Sequence, residues 1–197
     1  MYKPFPVYSI EGDARECGMQ HGALAAERVA KTIGFYLGVF GRHSKLSLEQ
    51  VRERARAFAA QIEAIDASVM AEIRGIAEGS RQQLEDIVAV NCRTELMYGA
   101  SGGSRAATEC TTIIALPEAT QHRGVIVGKN WDWRSPALDS VVLLRIRQKD
   151  KPALSLIVEA GMVGRDGLNE HGIVVCGNML TSREAKGRDG VPIRLLR

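Results

Sequence analysis

The spacing of apolar residues changes near residue 100, and this change constrains the fold more than any other feature. Before residue 100 the apolar side chains recur at helical spacing, and after Thr108 they form short runs separated by turns. Helices followed by short strands with tight turns predict an α+β fold with a largely antiparallel sheet. With 197 residues, of which 45% are hydrophobic, the chain can form one layered domain.

Capping signals divide the helical half. Its pattern covers segments 14–38, 47–65, 69–79 and 80–96. Ser47 with Gln50 has capping-box order and predicts a helix start, and Ser80 with Gln83 repeats that order. Gly79 predicts a C′ stop for the helix before it.

The second half carries five short apolar runs that predict strands. They are Thr111–Leu116, Gly124–Lys129, Val141–Ile146, Leu154–Val158 and Ile173–Cys176. Pro117 marks the turn after the first run, and Lys149–Pro152 marks the turn between the third and fourth.

Charge and cysteine usage exclude several classes of protein. The net charge is +3, with basic residues scattered among acids, which is not the footprint of a nucleic-acid-binding face. No apolar run approaches the roughly 18 residues that span a membrane, and residues 1–6 lack the apolar region of a signal peptide. Cysteines 17, 92, 110 and 176 show no paired spacing, which favours free thiols in a reducing compartment. We therefore expect a cytoplasmic protein.

Cys110 is the candidate nucleophile. It opens the run Cys110-Thr111-Thr112 and follows the Gly/Ser-rich stretch 98–104, as expected for a residue released by self-processing. Cleavage before it would give one residue both a thiol and an α-amine that can act as base. The alternative is a buried core thiol, the commonest state of a free cysteine.

Asn130 and Asp132 alternate with Trp131 and Trp133, so the two polar side chains should share one face of an extended segment. If that segment pairs back toward Cys110, the polar face should lie beside the thiol. The alternative is a turn in which both residues stabilise the backbone. The neighbouring Lys129 could be a further electrostatic partner of the site, but a solvated residue at the end of a strand is the favoured expectation.

Asn178 ends the run that begins at Ile173, and its side-chain amide is a suitable oxyanion donor. The alternative is a loop Asn in the left-handed conformation. Cys17 and His21 have a spacing that could hold a metal, but no second ligand pair accompanies them. A helix packing surface is therefore favoured for this pair.

Six motifs in order resemble the acyl-CoA:6-aminopenicillanic acid acyltransferase family of N-terminal-nucleophile (Ntn) hydrolases. They are Asn91–Leu96, Glu109–Thr112, Gly128–Trp133, Glu159–Gly161, Gly167–Gly172 and Gly177–Leu180, and Cys17–Gly22 adds an early helical match. The resemblance implies a four-layer αββα sandwich formed by a single domain over 1–197. It also implies self-cleavage between Glu109 and Cys110, which would separate an α-subunit segment (1–109) from a β-subunit segment (110–197).

The same resemblance implies an acyl-enzyme on Cys110, with Asp132 holding the α-amino group and Asn130 and Asn178 completing the site. Small acyl amides, acyl-CoA thioesters or β-lactam side chains are the implied substrates, and no cofactor or metal is implied. Family members commonly have Gly before the cysteine, where this chain has Glu109. The Glu109 carboxylate could slow cleavage or assist proton transfer, and the sequence leaves both open.

The resemblance further predicts that the family pattern continues beyond Arg197. A chain ending there should leave apolar faces such as Val141, Leu143 and Leu156 partly uncovered. It should then either self-associate as a homo-oligomer, which covers them, or show little turnover. Two alternatives stay open. One is an uncleaved, catalytically silent Ntn-fold protein that binds or assembles with partners, and the other is an unrelated cysteine hydrolase with a His beside Cys110.

Overall fold

A computed structural model describes residues 4–98 and 110–178, together with Pro192 and Leu195. In chain order its elements are β1 (Val7–Gly12), α1 (Ala14–Leu24), α2 (Ala26–His43), α3 (Leu48–Ile65), α4 (Ala67–Ser80), α5 (Leu84–Asn91), α6 (Arg93–Tyr98), β2 (Thr111–Ala115), β3 (Ile126–Asn130), β4 (Val141–Gln148), β5 (Leu154–Glu159), β6 (Asp166–Asn169) and β7 (Val174–Val175). The predicted α+β class is confirmed. Within the described ranges, no helix has both the length and the apolar character needed to cross a bilayer.

The strands form two sheets. Five strands have the order β1-β4-β5-β6-β7, and β2 and β3 form a separate antiparallel hairpin. Neighbours in the larger sheet are antiparallel except β1 and β4, which run parallel. The expected order of helices first and strands after is therefore wrong at the N-terminus, because β1 precedes every helix and pairs with a strand more than 100 residues later.

The core lies between the helices and one face of the larger sheet. The β4 residues that project to that face, Val142, Leu144 and Ile146, are buried. The expected exposure of Val141 and Leu156 is wrong, since both are buried, and Leu143 is partly buried. The helical layer covers Leu156, which pairs with Leu144 on the core face. Exposed apolar side chains lie instead on the β2–β3 hairpin and around β6 and β7.

Glycines bring α1 and α4 into close contact. A Cβ on Gly18 or Gly22 would overlap the α4 backbone, and one on Gly75 or Gly79 would overlap the α1 backbone. Gly79 thus serves this contact, and the prediction that it ends its helix is wrong. The helix continues to Ser80, and Arg81 takes the left-handed cap position with φ 56°.

The local cap signals had mixed outcomes. Ser47 accepts a hydrogen bond from the Gln50 amide at 3.2 Å, and the Gln50 side chain accepts one from the Ser47 amide at 2.9 Å, so this capping box is confirmed. The second capping box is wrong, because Ser80 still belongs to α4 and its hydroxyl donates to the Ile76 carbonyl at 2.6 Å. The long patterns over 14–38 and 80–96 are each divided into two helices, at Ala25 and Cys92.

Candidate active site

Cys110 lies immediately before β2, and the β2–β3 hairpin determines its neighbours. Its side chain is partly buried, Thr111 is exposed, and Thr112 is again partly buried. Since side chains of an extended chain alternate, Cys110 and Thr112 lie on the same face of the hairpin. Thr112 pairs directly with Lys129, so Lys129 also shares that face.

The expected position of Asn130 beside the thiol does not fit this register. Asn130 pairs directly with Thr111, and paired residues of antiparallel strands project to the same face. The face of Thr111 is opposite that of Cys110. Strand β3 does pair back to the start of β2 as expected. A shift of one residue in register would invert the faces, and the sequence did not determine that register.

Asp132 lies in the extended segment after β3, between two tryptophans. Asn130 and Asp132 are exposed while Trp131 and Trp133 are partly buried, so the expected alternation is confirmed. The guanidinium of Arg165 lies 3.4 Å from the centroid of the Trp131 ring, and that of Arg93 lies 4.6 Å from the Trp133 ring. Buried cation–π contacts of this kind fix the segment that carries Asp132.

Asn178 follows β7 and contacts β2 through its side chain. The Thr112 hydroxyl donates to Asn178 Oδ1 at 3.0 Å, which brings the amide to the face of the hairpin that carries Cys110. The non-glycine residues with positive φ in the described ranges are Lys45, Arg81, Arg123 and Asp150. Asn178 is therefore not the left-handed loop residue of the alternative interpretation.

An ion pair holds the residue before Asn178. Lys129 Nζ lies 2.6 Å from Asp166 Oδ1 and donates to the Gly177 carbonyl at 2.6 Å. The Gly177 amide in turn donates to Asp166 Oδ1 at 2.9 Å. We call Lys129, Asp166 and Gly177 the Gly177 clamp. The expectation of a solvated Lys129 is wrong, because its side chain is only 9% exposed.

A buried polar cluster lies behind Trp133. The Tyr36 hydroxyl donates to Glu159 Oε1 at 2.5 Å and accepts from Trp133 Nε1 at 2.9 Å. Arg93 Nη2 lies 3.2 Å from Glu159 Oε2, and neither of these side chains is more than 2% exposed. Burial raises the pKa of Tyr36, which keeps its hydroxyl protonated and able to donate.

Two buried side chains hold the turn after β5. The Gly161 amide donates to His21 Nε2 at 3.1 Å, and Asn91 binds the Gly161 carbonyl at 2.8 Å and the Val163 amide at 2.9 Å. Burial lowers the pKa of His21 to about 4, so the imidazole is neutral and can accept. His21 thus serves packing and the backbone of this turn, and the Cys17 thiol donates to the Gly12 carbonyl at 3.7 Å.

Comparison with known proteins places these features in a family. Residues 119–197 match the family model for acyl-coenzyme A:6-aminopenicillanic acid acyl-transferase. Over 172 residues the chain is 30% identical to a protein of Emericella nidulans named acyl-coenzyme A:6-aminopenicillanic-acid-acyltransferase 40 kDa form. The chain belongs to this acyltransferase family. The match covers 87% of the chain, which spans 46% of the relative's length.

The motifs that carried the family resemblance meet in space. Four of them supply the side chains of the buried polar cluster and those that bind the turn after β5. These side chains are His21, Asn91, Arg93, Glu159 and Trp133. Sequence reasoning used these motifs to recognise the acyltransferase family but, apart from a packing surface for His21, did not predict which side chains they contact. The residues that contact each other are far apart along the chain, so no local pattern indicated these contacts.

Sequence reasoning missed Arg165 and Asp166 as site residues. Arg165 Nε lies 3.2 Å from Asp166 Oδ2, and both side chains are at least 92% buried. Burial lowers the pKa of Arg165, and the carboxylates of Glu159 and Asp166 oppose that shift. The adjacent charged pair between two predicted strands was the available signal, but its burial depends on the helices and on Trp131.

The remaining expected residues are Glu109 and the other cysteines. Glu109 lies outside the described residues. Cys17 and Cys92 are buried, whereas Cys110 and Cys176 are partly exposed. A cavity of about 410 Å³ opens near β6, with Leu154, Leu156 and Arg165 among its lining residues, and Cys110 does not line it in the described part of the chain.

Proposed function

We propose that this chain carries the nucleophile of an Ntn cysteine amidase or acyltransferase with an αββα sandwich, and that it cleaves itself before Cys110. Family membership and the place of Cys110 at the start of β2 support the proposal. The observation that carries it is the bond between Thr112 and Asn178, because it brings a side-chain amide to the face of the hairpin that carries the thiol.

Self-cleavage would proceed by attack of Cys110 Sγ on the Glu109 carbonyl carbon. The C–N bond breaks, the Cys110 nitrogen takes a proton, and a thioester joins Glu109 to Cys110. Water then hydrolyses the thioester, which releases the Glu109 carboxylate and restores the thiol. The product has a free α-amine whose reference pKa of roughly 7.7–8.0 suits a general base near neutral pH.

Acyl transfer would use the same thiol. The α-amine accepts the proton of Cys110 as Sγ attacks the acyl carbonyl, and it returns that proton to the leaving amine or thiol as the bond to the leaving group breaks. Water or an acceptor amine then takes the acyl group from sulfur. Asn178 stabilises the oxyanion. Asp132 shares the face of Asn130, opposite the thiol, and we assign its carboxylate to the α-ammonium on the Cys110 backbone, which it holds by a charge-assisted hydrogen bond. Asn130, which lies on the opposite face from the thiol, ends the strand that leads to Asp132.

The substrates we propose are small acyl amides, acyl-CoA thioesters or β-lactam side chains. The name of the Emericella nidulans relative includes acyl-coenzyme A and 6-aminopenicillanic acid, which supports an acyl donor and an amine of this size for the present chain. Hydrolysis is the simpler reaction, since water is always present and transfer requires a second binding site.

Trapping of the acyl-enzyme tests this function. After brief incubation with an acyl-CoA thioester, intact mass and peptide mapping should find one acyl group on Cys110. Cys110→Ala should show no adduct, and Cys176→Ala, which removes the other partly exposed thiol, should acylate as the wild type does. Equal acylation of the wild type and Cys110→Ala would refute the assignment.

One observation favours the second candidate, a catalytically silent binding protein. Ile113, Ile114 and Ile126 on the hairpin are each more than half exposed, which is typical of an interaction surface. A wild-type chain that stays intact and takes up no acyl group would support this alternative.

A further inference from the structure

We propose that Thr112 and the Gly177 clamp are positioning elements that orient the Asn178 amide toward an acyl group on Cys110. This inference rests on the proposed function, because it assigns a role to residues that do not touch the reacting atoms themselves. It deepens that function by explaining how the exposed side chain of Asn178, three residues after strand β7, can serve as a fixed hydrogen-bond donor.

The first step is the direction of the Asn178 side chain. The amide has one acceptor and one donor end. Its Oδ1 accepts from the Thr112 hydroxyl at 3.0 Å, and Nδ2 has no acceptor among the described residues. The bond from Thr112 therefore directs the acceptor end toward β2 and leaves the N–H₂ end available to an oxyanion.

The second step is the distance to the nucleophile. Cys110 and Thr112 lie two residues apart on one face of an extended chain, a separation of about 7 Å. An oxyanion formed at a carbon bound to Cys110 Sγ lies about 3 Å from the sulfur, and an N–H···O bond spans about 3 Å more. A donor held at Thr112 is thus within reach of that oxyanion.

The third step is the backbone that carries Asn178. The clamp binds both backbone polar groups of Gly177: Asp166 accepts from its amide and Lys129 donates to its carbonyl. Lys129 and Asp166 are themselves paired at 2.6 Å, and their side chains are 9% and 8% exposed. Two buried charges on different strands therefore fix the residue before Asn178. Precise sites require such contacts behind the residues that meet the substrate.

Matched variants of Thr112 test the inference. Thr112→Val keeps the shape and removes the hydroxyl, and Thr112→Ser keeps the hydroxyl. We expect Thr112→Val to lower kcat for acyl transfer on the order of 10-fold with little change in KM, and Thr112→Ser to restore most of the rate. Asn178→Ala should cost about 100- to 1,000-fold. Adding Thr112→Val to Asn178→Ala should cost nothing further, because the two residues act as one unit.

Alkylation of Cys110 by iodoacetamide separates positioning from a general structural role, since this reaction forms no oxyanion. Alkylation should stay within about twofold of wild type in Thr112→Val and in Lys129→Met, while both lose acyl-transfer rate. Equal losses of alkylation and acyl transfer, or a Thr112→Val variant with wild-type kcat, would overturn the inference.

A measurement that does not depend on turnover can show whether the positioning inference or the proposed function has failed. In ¹⁵N NMR relaxation, the Asn178 side-chain amide should be rigid in the wild type and mobile in Thr112→Val and Asp166→Asn. A rigid amide in a wild type that forms no acyl-enzyme refutes the proposed function alone. An amide that is equally mobile in all three proteins refutes the positioning.

Discussion

His21 links the protonation of one side chain to the stability of the turn after β5. Its imidazole is fully buried and accepts from the Gly161 amide at 3.1 Å, so it must remain neutral in the folded protein. Its pKa is about 4 instead of 6.5 because burial disfavours the charged form. The unfolded chain therefore binds a proton that the folded chain excludes between these two pH values.

We therefore predict that the free energy of unfolding falls as the pH is lowered. The contribution of neutral His21 to the unfolding free energy is fully present above pH 6.5. It falls as the pH is lowered and is lost at about pH 4, where His21 is also protonated in the folded protein. Between pH 7 and 4.5 the wild type should lose about 2–3 kcal/mol more unfolding free energy than His21→Gln, which can accept from Gly161 but does not titrate. Urea unfolding at both pH values measures the difference. Parallel losses in the two proteins would contradict it.

Among the elements, the packing of α1 on α4 depends on glycine. A Cβ on Gly79 would overlap the Met19 carbonyl oxygen, whereas Gly34 in α2 has no atom within 4 Å of the same position. We expect Gly79→Ala to lower the free energy of unfolding by about 1–3 kcal/mol through overpacking. Gly34→Ala should raise it by up to about 1 kcal/mol, because alanine favours helix. Chemical denaturation compares both with the wild type, and similar effects of the two substitutions would contradict this account of the interface.

The contact of α6 with β5 depends on the buried pair of Arg93 and Glu159. Replacing only one partner leaves the other charge buried, so Arg93→Met should cost about 3–5 kcal/mol of unfolding free energy. Combining it with Glu159→Gln should recover part of that loss. The exposed pair of Lys31 and Glu27 is the control, and Glu27→Gln should change stability by at most about 1 kcal/mol. A double variant that loses the sum of both single losses would show that the pair is not coupled.

The elements that sequence could predict are those with local signals. The capping box at Ser47 and the five predicted strands of the second half needed only nearby residues, and they were found, whereas β6 was not predicted. Strand β1 was missed because its partner is β4, far along the chain. Asn130 was assigned to the wrong face because register sets the face of every strand residue. The burial of Arg165 and Asp166 depends on tertiary packing that no local pattern records.

For the whole molecule, the exposed apolar surface of the hairpin predicts self-association. Ile113 and Ile126 project from one face of it and are 67% and 58% exposed. We expect the sedimentation coefficient of the wild type to rise with concentration, and Ile113→Thr with Ile126→Thr to abolish that rise. The same replacement at Ile65, which is 55% exposed at the end of α3, serves as the control and should leave association unchanged. A wild type that stays monomeric at high concentration would contradict the prediction.

The central claim for the whole molecule is that Cys110 becomes a new N-terminus. Intact mass combined with labelling of free α-amines tests it most directly. The wild type and Cys176→Ala should give two fragments, one ending at Glu109 and one beginning at Cys110 with a free amine. Cys110→Ala should remain a single chain. A wild-type chain that is still uncleaved after long incubation, with its only free α-amine at the original N-terminus, would contradict the claim.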